Sequence, residues 1–260
     1  PVYVRHEIVH NKDVVNSLKN IGAIFVDEVH EAPVDRPIIF SAHGVPKSVV
    51  KEAKNRKMIS IDATCPLVTK VHNETVNHYN LGRHVLLVGH NNHPEVIGTM
   101  GQVPPDSISL IETEEDAINI HVSNPDNLAY ATQTTLSLDD TAAILKILKN
   151  RFSNIKGPSS EDICYATTNR QQAVKSMASL CNSILVIGAE NSSNSLRLVE
   201  VALANGVRTA KLIPDEKTLD QFLSTLNPIE SPNIGLTAGA SAPETLVQVL
   251  ISKLKKKFQV

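Results

Sequence analysis

HVLLVGHNNHPEVIGTM, residues 84–100, joins a short apolar run to a polar turn and then to a helical segment. The run from His84 to Val88 is rich in Val and Leu, as buried parallel strands are. Pro94 suits the first turn of the helix, where a missing N–H costs little. The same order recurs at two other places, where PIIF precedes VPKSVVKEAKNR and ILVIG precedes LRLVEVALANG. The alternation predicts an α/β fold built on parallel sheets.

Small polar turns follow one predicted strand after another. Seven of them are FSAHGVP, DATCP, VGHNNHPE, ATQTTLS, ICYATTNRQ, IGAENSSNS and LTAGASAPE. Because ligands of open parallel sheets lie outside the carboxyl ends of the strands, these turns form the predicted functional surface. We expect three α/β lobes that face a shared centre, in the ranges 1–65, 66–163 and 164–260. Surface loops are predicted around Pro33, Pro104 and Pro228.

The composition excludes several classes of function. The 260 residues are 42% hydrophobic and 20% charged, which is enough apolar material for a core. The 25 basic and 27 acidic residues are mixed along the chain and leave no electrostatic footprint for nucleic acid or an anionic membrane. No apolar run reaches the roughly 18 residues that a bilayer span needs. Three cysteines without a close pair predict a reducing compartment, with the cytoplasm expected and a plastid as the alternative.

Polar caps at the strand ends are candidate phosphate-binding groups. Ser192, Ser193 and Asn194 stand just before a helical run, and Ser241 follows another strand. Hydroxyls, amides and free backbone N–H groups at a helix N-terminus favour anions. Ordinary capped helices use the same residue types, so each turn alone is a weak motif.

Three histidines occupy comparable turns. His10, His43 and His93 each follow a strand-like run, where a single histidine is usually a cap or a packing residue. Three imidazoles near the Ser and Asn turns instead indicate hydrogen-bond donors to a polyanion. The rival interpretation is a zinc site with Cys65 or Cys164. It ranks lower, since no close Cys and His pair has the spacing of a structural zinc finger.

The three cysteines differ in their surroundings. Cys65 in DATCP and Cys164 in DICYATTNR stand in polar turns before predicted helices, where the local field favours the thiolate that binds iron. Cys181 lies in MASLCNSILVIG beside apolar residues and is predicted to be a small packing residue. Thr168, with Gln171 at capping-box spacing, is predicted to cap the helix after Cys164.

Glu95 is the candidate acid. In a purely structural role, its negative charge would interact favourably with the positive N-terminal end of the helix that Pro94 begins. Its sharper role is that of a proton donor, and Thr134 in ATQTTLS could relay the proton through its hydroxyl group or a bound water. The residue pattern alone leaves both roles open.

Eight segments in register resemble one family, the 4-hydroxy-3-methylbut-2-enyl diphosphate reductases, also called IspH or LytB. They are YVRHEIVHN, SAHGVP, DATCPLVTKVH, GHNNHPEVIGTMGQ, TQTTLS, DICYATTNRQ, NSSNSLRL and TAGASAP. The resemblance runs from Pro1 to the last helix. It implies a trefoil of three small parallel-sheet lobes around a central cavity. The cavity would hold a 4Fe-4S cluster with one iron that no protein ligand binds.

The resemblance also implies the reaction and the residue roles. The allylic hydroxyl group of (E)-4-hydroxy-3-methylbut-2-enyl diphosphate would be removed reductively, giving isopentenyl and dimethylallyl diphosphates at the end of the methylerythritol phosphate pathway. Cys65 and Cys164 would be two of three cluster ligands, and Glu95, assisted by Thr134, would supply protons. The groups that meet the diphosphate would be His10, His43, His93, Ser192, Ser193, Asn194 and Ser241. Asn11 would order the first of these turns, and a ferredoxin or flavodoxin would supply electrons.

This chain departs from the family pattern at two places. The family's first cluster cysteine lies in an N-terminal segment, and this chain opens on Pro1 after it, so the first lobe is expected to be truncated and the third thiolate to come from that segment. Cys181 matches no ligand position. The C-terminal tail stops soon after ISKLKKKF. Alone, the chain is expected to hold a cluster weakly and to leave an unpaired strand edge in one lobe.

Two other classes of function stay open. One is a cluster-free protein of the same family that binds a diphosphate without reducing it, which iron and sulfide analysis after anaerobic reconstitution would distinguish. The other is a zinc hydrolase, which metal analysis would test.

Overall fold

The computed structural model describes residues 1–225 and 233–258. Its strands are β1 (Val2–Arg5), β2 (Ala23–Val26), β3 (Ile38–Phe40), β4 (Ser60–Asp62), β5 (His84–Val88), β6 (Ile108–Ile111), β7 (Leu128–Thr132), β8 (Ser183–Ile187), β9 (Thr209–Ile213) and β10 (Ile234–Ala238). Its helices are α1 (Lys12–Asn20), α2 (Lys47–Asn55), α3 (Pro66–Asn80), α4 (Pro94–Met100), α5 (Glu114–Asn119), α6 (Leu138–Arg151), α7 (Tyr165–Ala178), α8 (Ser193–Ala204), α9 (Glu216–Thr225) and α10 (Glu244–Phe258). The loop predicted around Pro228 lies outside the described residues.

The strands form three small parallel sheets. Sheet A has the order β2-β1-β3-β4, sheet B the order β6-β5-β7 and sheet C the order β10-β8-β9. Every pair of neighbouring strands is parallel. The predicted α/β fold with three small parallel sheets is confirmed. Each sheet falls within one of the expected lobe ranges, whereas the lobe boundaries themselves stay a prediction.

The chain divides into two compact units. Unit 1 comprises Pro1–Val9 and Ser17–Cys164, and unit 2 comprises His10–Asn16 and Tyr165–Val260. Sheets A and B lie in unit 1, and sheet C lies in unit 2. No helix in the described ranges is both long and apolar enough to cross a membrane.

The central strands of sheets B and C are apolar because both of their faces are covered. Leu86 and Val88 of β5 pack into one buried cluster with α6, while Val85 and Leu87 pack into another. The residues of β8 divide in the same alternating way between two clusters, with α7 and α8 on one face and α9 and α10 on the other. This explains why the strands read as continuous hydrophobic runs. The polar turns at their carboxyl ends remain outside these cores.

The predicted helix start at Pro94 is correct, whereas the predicted cap Thr168 is wrong. Pro66 and Pro94 are the first residues of α3 and α4, as the first-turn rule for proline predicts. The predicted cap Thr168 instead lies one turn inside α7, which begins at Tyr165. The backbone N–H of Cys164 donates to the carbonyl oxygen of Thr134 at 2.9 Å, and α7 begins directly after this cysteine.

Candidate active site

Glu95 is a buried carboxylic acid at the carboxyl end of sheet B. It lies in the first turn of α4 and is 3% exposed. Its Oε1 accepts the backbone N–H of Thr134 at 2.6 Å, and its Oε2 accepts the hydroxyl of the same residue at 2.9 Å. Thr134 follows β7, the strand next to β5, so two neighbouring strand ends bring the predicted acid and its predicted relay into contact.

The environment of Glu95 favours its protonated form. Burial raises the pKa of Glu95 to about 7, while the two hydrogen bonds from Thr134 oppose this shift and the charge of Asp162 adds to it. A carboxylic acid with this pKa both holds and releases a proton near neutral pH, as a general acid must.

His93 and His43 lie beside this acid in unit 1. His93 caps α4, and its Nδ1 accepts the backbone N–H of Glu95 at 3.2 Å. In a neutral imidazole, an accepting Nδ1 leaves the proton on Nε2, which can then donate to a ligand. The ring of His43 meets the ring of His93 edge to face, with centroids 5.9 Å apart. Two of the three predicted histidines are therefore neighbours.

Glycines allow α4 to dock closely on the turn that carries His43. A Cβ atom on Gly98 would lie 3.1 Å from the carbonyl carbon of Gly44, closer than ordinary contact. Gly44 itself has φ +78°, a conformation that other residues rarely adopt. Gln102 reinforces the contact, because its Nε2 donates to the carbonyl oxygen of Val45 at 2.8 Å. The position of His43 relative to α4 is thus fixed by backbone packing.

Cys65 follows β4, as predicted, whereas the strand predicted before Cys164 is wrong, because residues 152–164 form a loop between α6 and α7. Both cysteines are free, half-buried thiols. Cys65 directly precedes α3, and its N–H donates to the carbonyl oxygen of Ala42, next to His43, at 3.0 Å. Cys164 is bonded through its N–H to Thr134, the partner of Glu95. A continuous series of contacts therefore connects the two cysteine turns through both histidines, the acid and its threonine.

The donor set of these turns suits part of an iron-sulfur site. Thiolates bind iron, and two thiols in one unit could occupy two ligand positions of a 4Fe-4S cluster. Within residues 1–225 and 233–258, however, no three His, Cys, Asp or Glu side chains are grouped so as to hold a metal ion. The described residues alone thus provide neither a complete zinc site nor all three cluster ligands.

In unit 2, the predicted polar residues cluster at the ends of β8 and β10. Ser192 is the N-cap of α8 and accepts the N–H of Ser195 at 3.3 Å. The amide oxygen of Asn194 accepts the N–H of Ala240 at 2.9 Å, and its nitrogen donates to Thr167 at 3.2 Å. Ser192 and Asn194 are buried, and Ser193 between them is half-buried. Asn194 therefore ties the two strand-end turns together.

His10 and Ser241 are also neighbours in unit 2. The Ser241 hydroxyl donates to the carbonyl oxygen of His10 at 3.1 Å. Asn11 donates through Nδ2 to the carbonyl oxygen of Ser241 at 2.7 Å, while its Oδ1 accepts the N–H groups of Asp13 and Val14. Asn11 therefore fixes the turn of His10 and caps α1 at the same time.

Cys181 lies at the opposite end of sheet C from these polar turns. It stands just before β8 and packs against the buried cluster of Val174 and Ile184. A Cβ atom on Gly235 would lie 2.9 Å from its sulfur. This position agrees with a packing role.

Ser195 of the polar run ENSSNS contributes to the same turns, together with Lys70 and Asp162, two residues that the sequence did not single out. Ser195 is fully buried, and a Cβ atom on either Gly188 or Gly239 would collide with its hydroxyl. Lys70 and the buried Asp162 form an ion pair of 2.7 Å beside the cysteine turns. The position of Asp162 two residues before Cys164 was the available signal, whereas nothing around Lys70 in the sequence indicates its partner.

Comparisons with known proteins agree with the resemblance seen in the sequence. The LytB protein family matches residues 1–255. A 4-hydroxy-3-methylbut-2-enyl diphosphate reductase of Hyphomonas neptunium is 58% identical over all of this chain and 81% of its own length, and that of Phenylobacterium zucineum is 55% identical with the same coverage. The solved structure of the E-1-hydroxy-2-methyl-but-2-enyl-4-diphosphate reductase from Plasmodium falciparum superposes with a TM-score of 0.92 at 38% identity, covering 98% of this chain and 78% of that one. The chain belongs to the LytB protein family.

Proposed function

We propose that this protein is an oxidoreductase that removes the allylic hydroxyl group of (E)-4-hydroxy-3-methylbut-2-enyl diphosphate. The products are isopentenyl and dimethylallyl diphosphates, and the reaction is the last step of the methylerythritol phosphate pathway. The observation that carries the proposal is Glu95, a buried acid with a pKa of about 7 that contacts Thr134 and His93. The named reductases to which the chain is 55–58% identical support the same assignment.

Glu95 is the proton donor of the proposed reaction. Loss of a hydroxyl group as water requires a proton on the leaving oxygen, and each product requires a proton on carbon. Thr134 holds the carboxyl group with two hydrogen bonds, so its hydroxyl can pass a proton between Glu95 and substrate without moving the acid. Burial of the pair keeps bulk water from exchanging with that proton.

Each unit carries its own groups for the diphosphate. In unit 1, His43 and His93 present half-buried imidazoles, and the Nε2–H of His93 is oriented by the cap of α4. In unit 2, Ser192, Ser193 and Asn194 stand at the N-terminus of α8, where backbone N–H groups and the helix dipole favour an anion. His10 and Ser241, joined by a hydrogen bond, belong to the same set.

Cys65 and Cys164 are the proposed cluster ligands in this chain. A bound 4Fe-4S cluster would supply single electrons and an iron ion that acts as a Lewis acid. Cys65 lies between β4 and α3, and Cys164 lies directly before α7. Their backbone N–H groups donate to Ala42, next to His43, and to Thr134, the partner of Glu95, which supports this assignment. The third thiolate is proposed to come from the N-terminal segment that the family pattern includes.

The electron donor is proposed to be a ferredoxin or a flavodoxin, and the cytoplasm is the proposed location, with a plastid as the alternative. Three free thiols are compatible with a reducing compartment.

The test is Glu95→Gln, with Glu112→Gln as the matched control. Glu112 also accepts a backbone N–H, from Asn91 in the neighbouring turn, but it is exposed. We expect Glu95→Gln to lower kcat about 100-fold or more while iron content and diphosphate affinity stay unchanged, because only the proton source is lost. Glu112→Gln should behave as wild type. Unchanged turnover in Glu95→Gln would remove Glu95 from the mechanism.

Iron and sulfide analysis after anaerobic reconstitution tests the reductase itself, in protein that includes the N-terminal segment proposed to supply the third thiolate. Protein that stays free of iron and still binds the diphosphate would overturn the proposal in favour of a cluster-free binding protein.

A further inference from the structure

Side chains on one face of α3 form hydrogen bonds with the loop that leads to Cys164. Lys70 donates to Oδ1 of Asp162 at 2.7 Å and also to the carbonyl oxygen of Ser160. One turn further along α3, Oε1 of Glu74 accepts the N–H of Ser159 at 3.2 Å and also its hydroxyl. We call Lys70, Glu74, Ser159 and Asp162 the α3 clamp. All four lie in unit 1.

The clamp is placed between the two cysteines. Cys65 directly precedes α3, and Lys70 follows it by about 7.5 Å along the helix axis, given the rise of an α-helix. On the other side, Asp162 is two residues from Cys164. The ion pair therefore joins the helix that carries one thiol to the loop that carries the other.

The loop is also bonded to the end of β7 at two points. Oδ2 of Asp162 accepts the N–H of Thr132 at 2.9 Å, and the N–H of Cys164 donates to Thr134 at 2.9 Å. These bonds fix residues 162–164 against sheet B. The clamp also holds α3 against this loop, through a lysine that is 22% exposed at its side chain.

A buried ion pair is a costly way to stabilise a loop. The side chain of Asp162 is 1% exposed, and a desolvated pair often contributes no more stability than apolar residues of the same volume would. A directional pair does fix geometry, since its two charged atoms tolerate little displacement.

We propose that Lys70 and Asp162 are positioning residues that set the separation of the Cys65 and Cys164 thiolates. This inference rests on the proposed function, in which both thiolates hold the same cluster. Partners outside the ligands commonly orient metal ligands in this way. Lys70→Met breaks the ion pair with Asp162, and Lys70→Arg retains a positive charge there. Lys253→Met is the matched control, because Lys253 pairs with Asp220 at the same 2.7 Å, between α10 and α9 in unit 2.

The first measurement needs no cluster. In a Cys181→Ser background, spin labels on Cys65 and Cys164 report the distance between the two turns. We expect Lys70→Met to broaden the distance distribution at least about twofold, and Lys70→Arg and Lys253→Met to leave it unchanged. If Lys70→Met is unfolded, the double variant Lys70→Met/Asp162→Asn replaces it, since the amide can still accept the Thr132 N–H and the buried charge of Asp162 is removed together with its lysine. An unchanged distribution in the folded variant overturns the clamp.

The second measurement separates the clamp from the proposed function. The protein used here includes the N-terminal segment that is proposed to supply the third thiolate. After anaerobic reconstitution, we expect iron loss to a chelator to be about 10-fold faster in Lys70→Met than in wild type, and to return to the wild-type rate in Lys70→Arg. Equal rates in wild type and Lys70→Met overturn the clamp alone. Wild type that takes up no iron overturns the proposed reductase, and the clamp is then decided by the distance measurement.

Discussion

Replacing Glu95 by glutamine is expected to stabilise the protein at pH 8 far more than at pH 5. The amide has the shape of the carboxylic acid. Its oxygen can accept the N–H of Thr134, and its nitrogen can donate to the hydroxyl of the same residue. The substitution therefore keeps both contacts and removes only the titration of the buried group.

The magnitude follows from the pKa of Glu95, which rises from 4.5 to about 7 because of burial. The folded state binds the proton more tightly than the unfolded state, so the stability that Glu95 contributes is fully present below pH 4.5 and is lost as the pH rises through 7. Between pH 5 and pH 8 this loss amounts to about 2 to 3 kcal/mol in wild type. Glutamine does not titrate, so the Glu95→Gln variant does not undergo this loss of stability.

The measurement is urea unfolding of iron-free wild type, Glu95→Gln and Glu112→Gln at pH 5 and pH 8. The contributions of other titrating groups to the free energy of unfolding cancel when each variant is compared with wild type at the same pH. We expect the stability gained by Glu95→Gln to be about 2 to 3 kcal/mol larger at pH 8 than at pH 5. The reasoning is refuted if Glu95→Gln and Glu112→Gln show the same change between the two values of pH.

Three further outcomes are expected. Gly98→Ala should lower the free energy of unfolding by about 1 to 3 kcal/mol in urea, because its Cβ would press on the backbone of Gly44, and unchanged stability would contradict the close docking of α4. Burial lowers the pKa of His72 to about 4, so between pH 7 and pH 4.5 the unfolded state takes up a proton that the folded state does not, and wild type should lose about 2 to 3 kcal/mol of stability. His72→Gln should lose less stability over this range in urea unfolding, and a loss equal to that of wild type would contradict the shifted pKa. Cys181→Ser should leave iron per chain unchanged after reconstitution, and loss of iron would make Cys181 a ligand.

The features of the fold that depend on short stretches of sequence were predictable. The apolar run of β5 indicates a strand covered on both faces, and the structure covers it with two buried clusters. Pro66 and Pro94 mark helix starts because the first turn needs no N–H from them. The capping spacing of Thr168 did not predict the start of α7, since the helix begins at Tyr165, three residues earlier.

The site separates in the same way into local and long-range features. A short-range pattern identified the turn of His93 and Glu95, because polar residues directly follow the apolar strand β5 there. The contacts between these turns depend on pairs far apart in the chain, such as Lys70 with Asp162, which are 92 residues apart. Charged residues are common on helix surfaces, so neither member of this pair predicts the other.

The long-range contacts decide the chemistry as well as the packing. Glu95 would be an ordinary acidic residue in the first turn of α4 if burial and the charge of Asp162 did not raise its pKa towards 7. Asp162 at the same time holds the loop of Cys164 and pairs with the helix of Cys65. A chain that kept every polar turn but lost this aspartate would keep the three sheets, because their cores do not include it. It would lose both the geometry of the two thiols and part of the field that makes Glu95 an acid.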